Sequence, residues 1–299
     1  MLGVTRAQRR QAEAWGLLTP LLVVMTIVTL YPLVRTVFLS FTDAELPVGQ
    51  SPSQWVGIEN YDYVLTDPDF LDALWRTLHF TLGSVGAELV LGVLVGLLLN
   101  QNFRGRMLVR SLVILPWALP TIVNAMLWLL IYNPQYGSLN ALLTQLHLID
   151  QYRSWLGEPD IAMDMVIIAD VWKNYAIVAL VVLAALQTIP ADLYEAMRID
   201  GAGAWSRFWN LTVPGILGPL TVVMVLRLID SFRVFDIIFV MTRGGPADAT
   251  KTLSFYVYQE SFTFLRAGSG ASYAVIVAIM SAILIAAYIF LLKRQETLA

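Results

Sequence analysis

Residues 195–219 read EAMRIDGAGAWSRFWNLTVPGILGP. They form a polar segment, carrying Glu195, Arg198, Asp200 and Arg207, between two long apolar runs. The pattern predicts a short helix over 194–199 and a break at Asp200-Gly201-Ala202-Gly203. A second short helix over 204–211 follows, closed by Val213-Pro214. Glycine adopts the positive φ that a sharp turn between helices needs. A broken backbone in hydrocarbon would leave N–H and C=O groups unsatisfied. The elbow, about 190–214, therefore belongs in water or against a partner protein, and the runs beside it belong in a bilayer.

Composition agrees. Hydrophobic residues make up 58% of the 299-residue chain and charged residues 14%, against about 25% charged in soluble domains. The net charge of −3 offers no basic footprint for nucleic acid. The chain has no cysteine, and its two histidines, His79 and His147, are far apart. Disulfides and a thiolate-held metal are excluded, and no metal site is expected. No Gly-x-x-x-x-Gly-Lys-[Ser/Thr] occurs, so the chain does not itself hydrolyse ATP. Nor does a nucleophile, base and acid constellation mark it as an enzyme.

Six apolar runs are long enough to cross a bilayer as helices, which takes about 20 residues each. They lie near 15–39, 77–99, 112–132, 163–187, 216–242 and 271–292. The expected architecture is all-α: one polytopic membrane domain over residues 1–299. The first run is too long for a signal peptide and lacks a small-residue cleavage site. Pro20 and Pro32 are expected to kink it, and Pro116 and Pro120 to break the third run. Between the first two runs lie the breakers Pro47, Pro52 and Pro68, then a short interfacial helix near 70–75. Gly83, Gly86, Gly92 and Gly96 offer small faces for close helix packing. Residues 137–162 read as an external loop.

Basic residues set the orientation. Arg6, Arg9, Arg10, Arg104, Arg106, Arg110, Arg198, Arg207, Lys293 and Arg294 fall on the side of the elbow and both termini. The opposite side holds Arg76, Arg153, Arg243, Lys251 and Arg266. Elbow and termini are thus expected in the cytosol.

Glu195-Ala196-Met197, then Gly201, then Leu211-Thr212-Val213-Pro214 resembles the Glu-Ala-Ala loop in permease subunits of bacterial ATP-binding-cassette importers. Met197 and Val213 depart from the pattern, conservatively. Further motifs follow in the order of the carbohydrate-uptake, maltose permease-like branch. They are Tyr31-Pro32-Leu33, Gly57 to Tyr61 with Asp67-Pro68-Asp69-Phe70, Leu115 to Pro120, Asn133 to Gly137, and Gly244-Gly245-Pro246. The resemblance covers almost the whole chain. It implies a bacterial inner-membrane permease forming half of a translocation path, with the elbow as the coupling helix. Glu195, Ala196, Asp200, Gly201 and Ala202 would contact the ATPase. Implied partners are a second permease, two ATPase subunits, which bind ATP and Mg²⁺, and an extracytoplasmic sugar-binding protein. No cofactor is expected on this chain.

Charges inside spanning helices are costly, about 2.5–3.5 kcal/mol each on insertion scales, and mark function or pairing. Asp170, Lys173, Asn174 and Ile177 share one face of the fourth span, and Arg227, Asp230, Ser231 and Val234 one face of the fifth. Asp170–Lys173 and Arg227–Asp230 are expected to pair at i,i+3. The resemblance places all eight at substrate-facing positions. Arg, Asp and Asn supply the donors and acceptors that sugar hydroxyls need, and Trp172, Tyr175, Phe232 and Phe235 offer faces for a ring. On the other reading these pairs only join helices. Arg233 and Asp236 read as structural or gating. Two further readings are the same machinery carrying glycerol 3-phosphate or another polar solute, and a proton-coupled carrier. The carrier would leave the elbow without a role.

Overall fold

Proline and glycine set most of the helix boundaries. The computed structural model describes residues 6–49 and 53–296, with side chains over 14–49 and 53–289. Pro52 and the side chains of Arg6, Arg9, Arg10, Lys293 and Arg294 lie outside the described residues. Helices run in the order α1 (Arg6–Met25), α2 (Tyr31–Leu39), α3 (Glu59–Thr66), α4 (Pro68–Asn100), α5 (Arg106–Ala118), α6 (Thr121–Ile131) and α7 (Ser138–Gln145). They continue as α8 (Pro159–Thr188), α9 (Ala191–Ile199), α10 (Ala204–Arg207), α11 (Val213–Phe232), α12 (Asp236–Met241), α13 (Leu253–Tyr258) and α14 (Ala267–Glu296). Among the described residues, five stretches are long and apolar enough to cross a bilayer: Ala14–Leu39, Pro68–Asn100, Pro159–Thr188, Ala204–Phe232 and Ala267–Ile289. The pair α5–α6 makes a sixth, bent by 99°.

Several boundaries differ from expectation, each for a local reason. The third span is two helices, broken before Pro120 as expected, whereas Pro116 lies inside α5 without breaking it. Leu119, before Pro120, is extended at φ −75°, ψ 139°, as the ring of a following proline demands. The interfacial helix near 70–75 is the start of α4, which Pro68 opens and nothing then breaks. The loop 137–162 contains α7. The second arm of the elbow does not stop at Pro214. It runs through a π-turn, Phe208–Thr212, into α11 as one 29-residue helix, Ala204–Phe232. A proline ring clashes with the carbonyl four residues back, and a widened turn there relieves the clash. The π-turn Thr26–Leu30 stands before Pro32 in the same way.

The fifth span breaks where no proline or glycine stands. Helix α11 ends at Phe232, and Phe235 takes φ −142°, ψ −57° before α12. The Thr252 hydroxyl donates to the freed Val234 carbonyl at 3.1 Å.

The described residues form two compact units. In Met1–Asp67 with Tyr256–Ala278, the segment after α2 is a hydrogen-bonded knot. Asn60 Nδ2 donates to the carbonyls of Ser40 and Thr42 at 3.0 and 2.8 Å. Phe41 stacks on Trp55 at 5.2 Å. Ser269 donates to the buried Glu260 carboxylate at 3.0 Å.

In Pro68–Phe255 with Ile279–Ala299, α4 and α8 pack at backbone distance. A Cβ on Gly92 would meet Val178 at 2.5 Å, and one on Gly96 would meet Val182 at 2.7 Å. Small residues permit this approach. Gly86 faces open space instead. Apolar side chains of α6, α8 and α12 form one core cluster, and those of α8 and α11 a second.

Candidate functional site

Helices α4, α8 and α11 enclose a polar cleft of about 340 Å³ in otherwise apolar spans. Asp170, Lys173 and Asn174 enter from α8, and Arg227, Asp230 and Ser231 from α11. The break after Phe232 turns Arg233, Val234 and Phe235 into the wall, and Asp236 joins them. Ile237 lines it as well, and Phe80, Trp117 and Thr121 complete the lining from α4, α5 and α6.

Of the two i,i+3 pairs expected, Arg227–Asp230 forms, but it is not the main contact of Arg227. Arg227 is held by Glu88 of α4, its Nε donating at 2.7 Å and its Nη2 at 2.9 Å. The Glu88 side chain is fully buried. Nη2 also reaches Asp170 at 3.3 Å, while Asp230 stands 3.7 Å from Nη1 with its side chain 62% exposed. Asp230 is thus the outer, weaker partner. Lys173 donates to the Thr121 hydroxyl at 2.8 Å, and Asp170 accepts from Asn174 Nδ2 at 2.9 Å. A carboxylate in a spanning helix needs a cation. That was the one available signal for Glu88, but its cation lies 139 residues further on.

Seven of the eight predicted cleft residues line the cavity. Ile177 does not; it packs with Val178, Val182 and Ile216 in the α8–α11 cluster. At 1.5 Å per residue it stands about 10 Å along the helix from Asp170, on the same face but beyond the cleft. Among the aromatic candidates only Phe235 lines it. Trp172 packs edge-on against Trp128 at 6.0 Å, and Phe232 is buried. Arg233 and Asp236, expected to be structural or gating, face the cavity.

The elbow is built as its glycines require. Gly201 has φ +80°. Its N–H donates to the Arg198 carbonyl at 3.1 Å, and the Ala202 N–H to that of Met197 at 2.8 Å. This is a Schellman cap on α9, with the glycine in the left-handed position. The Tyr194 and Thr212 hydroxyls meet at 3.0 Å and tie the two arms together. Ile189 packs against Gly215 beside the elbow, its Cδ1 2.5 Å from where a Cβ on Gly215 would stand. Glu195, 3.8 Å from Arg198, and Ala196, Asp200 and Gly201 are exposed on α9 and its turn, and Ala202 is half-buried. Around them Ile199, Trp205 and Trp209 are largely exposed.

Residues 88–296 match the model of the family described as binding-protein-dependent transport system inner membrane component. The trehalose/maltose transport system permease protein of Thermococcus litoralis is 38% identical, over 85% of either chain. The sulfoquinovosyl glycerol transport system permease protein of Agrobacterium fabrum is 33% identical, over 94% of this chain and 90% of its own. In fold, the chain is similar to one from a bacterial ABC transporter that imports the acidic polysaccharide alginate. The TM-score is 0.83 at 22% identity, covering 96% of both chains. With its spans, cleft and capped elbow, this chain belongs to the family of binding-protein-dependent transport system inner membrane components.

Proposed function

We propose that this chain is the permease subunit of an ATP-binding-cassette importer for a sugar, and that the α4–α8–α11 cleft is its cargo site. The observation that carries the reading is the cleft itself: charged and amide side chains gathered around about 340 Å³ inside apolar spans. Charges so placed mark a solute path, and donors beside acceptors suit hydroxyl groups. Relatives named for trehalose/maltose and sulfoquinovosyl glycerol transport support the carbohydrate class.

In this reading Asp230, Lys173 and Asn174 contact the cargo, and Ser231 and Val234 shape the wall. Both compact units work as one permease domain. Glu195, Ala196, Asp200, Gly201 and Ala202 dock on a cytosolic ATPase, with both termini on that same side. Ile199, Trp205 and Trp209 supply the apolar contact area. The chain provides half of the path, and a second permease provides the rest. Two ATPase subunits and an extracytoplasmic binding protein complete the assembly. Purification of the tagged chain from its native membrane, followed by uptake of a panel of mono- and disaccharides in vesicles, tests this. A lone chain that transports without an ATPase would overturn it.

A further inference from the structure

One arginine in the cleft is shared by three carboxylates. Glu88 takes Nε and Nη2 of Arg227 at 2.7 and 2.9 Å. Asp170 also reaches Nη2, and Asp230 stands beside Nη1. A guanidinium carries one charge on a fixed fork of donors, and here every nitrogen has an acid within 4 Å. Lys173 turns its ammonium to Thr121. With Arg233 and Asp236 on the wall, four carboxylates stand against three cations, an excess of one negative charge. Glu88 is the acid that tips the balance. Its side chain has no exposure, so it acts on a cargo only through Arg227.

We propose that Glu88 sets the charge selectivity of the cleft. By holding the guanidinium in a two-point pair it denies Arg227 to an anionic cargo and restricts the site to neutral polyhydroxy solutes. This rests on reading the cleft as the cargo site. A carboxylate or phosphate on the cargo would have to displace Glu88, leaving a buried charge unpaired, which is strongly unfavourable. It would also meet the exposed Asp230, and a like charge across a site rejects a ligand. A hydroxyl meets neither obstacle, since it can donate to Asp230 without disturbing the pair.

The test compares glucose with glucuronate, which differ by a carboxylate on one ring. Binding of each radiolabelled probe is measured on the assembled transporter in lipid nanodiscs. The wild type is expected to discriminate against glucuronate. Glu88→Gln should raise glucuronate affinity relative to that of glucose on the order of tenfold, the worth of one charge-assisted hydrogen bond. Adding Arg227→Gln should remove that gain. An assembled Glu88→Gln transporter without the gain, or a gain that survives loss of Arg227, would overturn the proposal. So would wild-type glucuronate binding as tight as that of glucose, an arm that needs no variant to fold. Glucose binding indifferent to both Asp230→Asn and Lys173→Met would refute the cargo-site reading on which the proposal rests, whereas glucose binding sensitive to them with no glucuronate gain in Glu88→Gln would refute the role of Glu88 alone.

Discussion

Arg227 and Glu88, 139 residues apart in the chain, close a two-point ion pair at 2.7 and 2.9 Å between α11 and α4. The nearer neighbour in sequence, Asp230, is 3.7 Å away and largely exposed. Energetically the two contacts differ in kind. Removing one partner of a buried pair leaves an uncompensated charge, at about 3–5 kcal/mol, whereas removing both together is often close to neutral. An exposed pair contributes about 0–1 kcal/mol. Arg227→Met should therefore lower the melting temperature in detergent sharply, and Arg227→Met/Glu88→Leu should recover much of the loss. Arg227→Met/Asp230→Leu should not. A double-mutant cycle on each pair measures the difference, and a larger coupling to Asp230 than to Glu88 would contradict the structure.

Side chains that face the cleft without holding helices together should separate uptake from stability. Asp230→Asn should reduce sugar uptake in vesicles while moving stability by no more than about 1 kcal/mol, because its ion pair is solvent-screened. Ile177→Val should leave uptake near wild type, since Ile177 packs outside the cavity. Unchanged uptake in Asp230→Asn would remove it from the site.

Gly201→Val places a β-branched residue at φ +80°, where bulky L-residues are strongly disfavoured. The open space around its Cβ makes the penalty one of backbone rather than of contact. Gly201→Asn should be milder, since asparagine enters the left-handed region with local hydrogen bonding. The expected order of ATPase co-purification is wild type, then Asn, then Val. Equal recovery of all three would separate the cap from coupling.

Gly92→Leu and Gly96→Leu should each destabilise by about 1–3 kcal/mol or more, the usual range for overpacking, since even a Cβ overlaps Val178 or Val182. Gly86→Ala, in open space, should be neutral or slightly stabilising. Melting of the three variants in one detergent checks this, and equal effects would contradict the α4–α8 contact.

The spans and the elbow were readable because their causes are local. Length of apolar run, Pro120, Gly201 and the basic residues each act within a few positions. What escaped depends on partners far along the chain. The break at residues 233–235 contains no proline or glycine, and its freed Val234 carbonyl is satisfied by Thr252. Glu88 is an acid inside an apolar run, but nothing near it in sequence names Arg227. Helical periodicity placed Ile177 on the correct face, yet periodicity does not report depth along the axis. Val234, at the same spacing from Arg227, does reach the cleft, because the helix ends at Phe232 and the chain turns.

The uninterrupted helix Ala204–Phe232 has a mechanical consequence. At 1.5 Å per residue it is a rod of roughly 43 Å, with Trp205 near one end and Arg227, Asp230 and Ser231 near the other. The π-turn carries it past Pro214, and the helix continues through Pro219 as well. A torque applied at the tryptophan end therefore tilts the far end as well, and the jaw that holds the arginine moves with the handle.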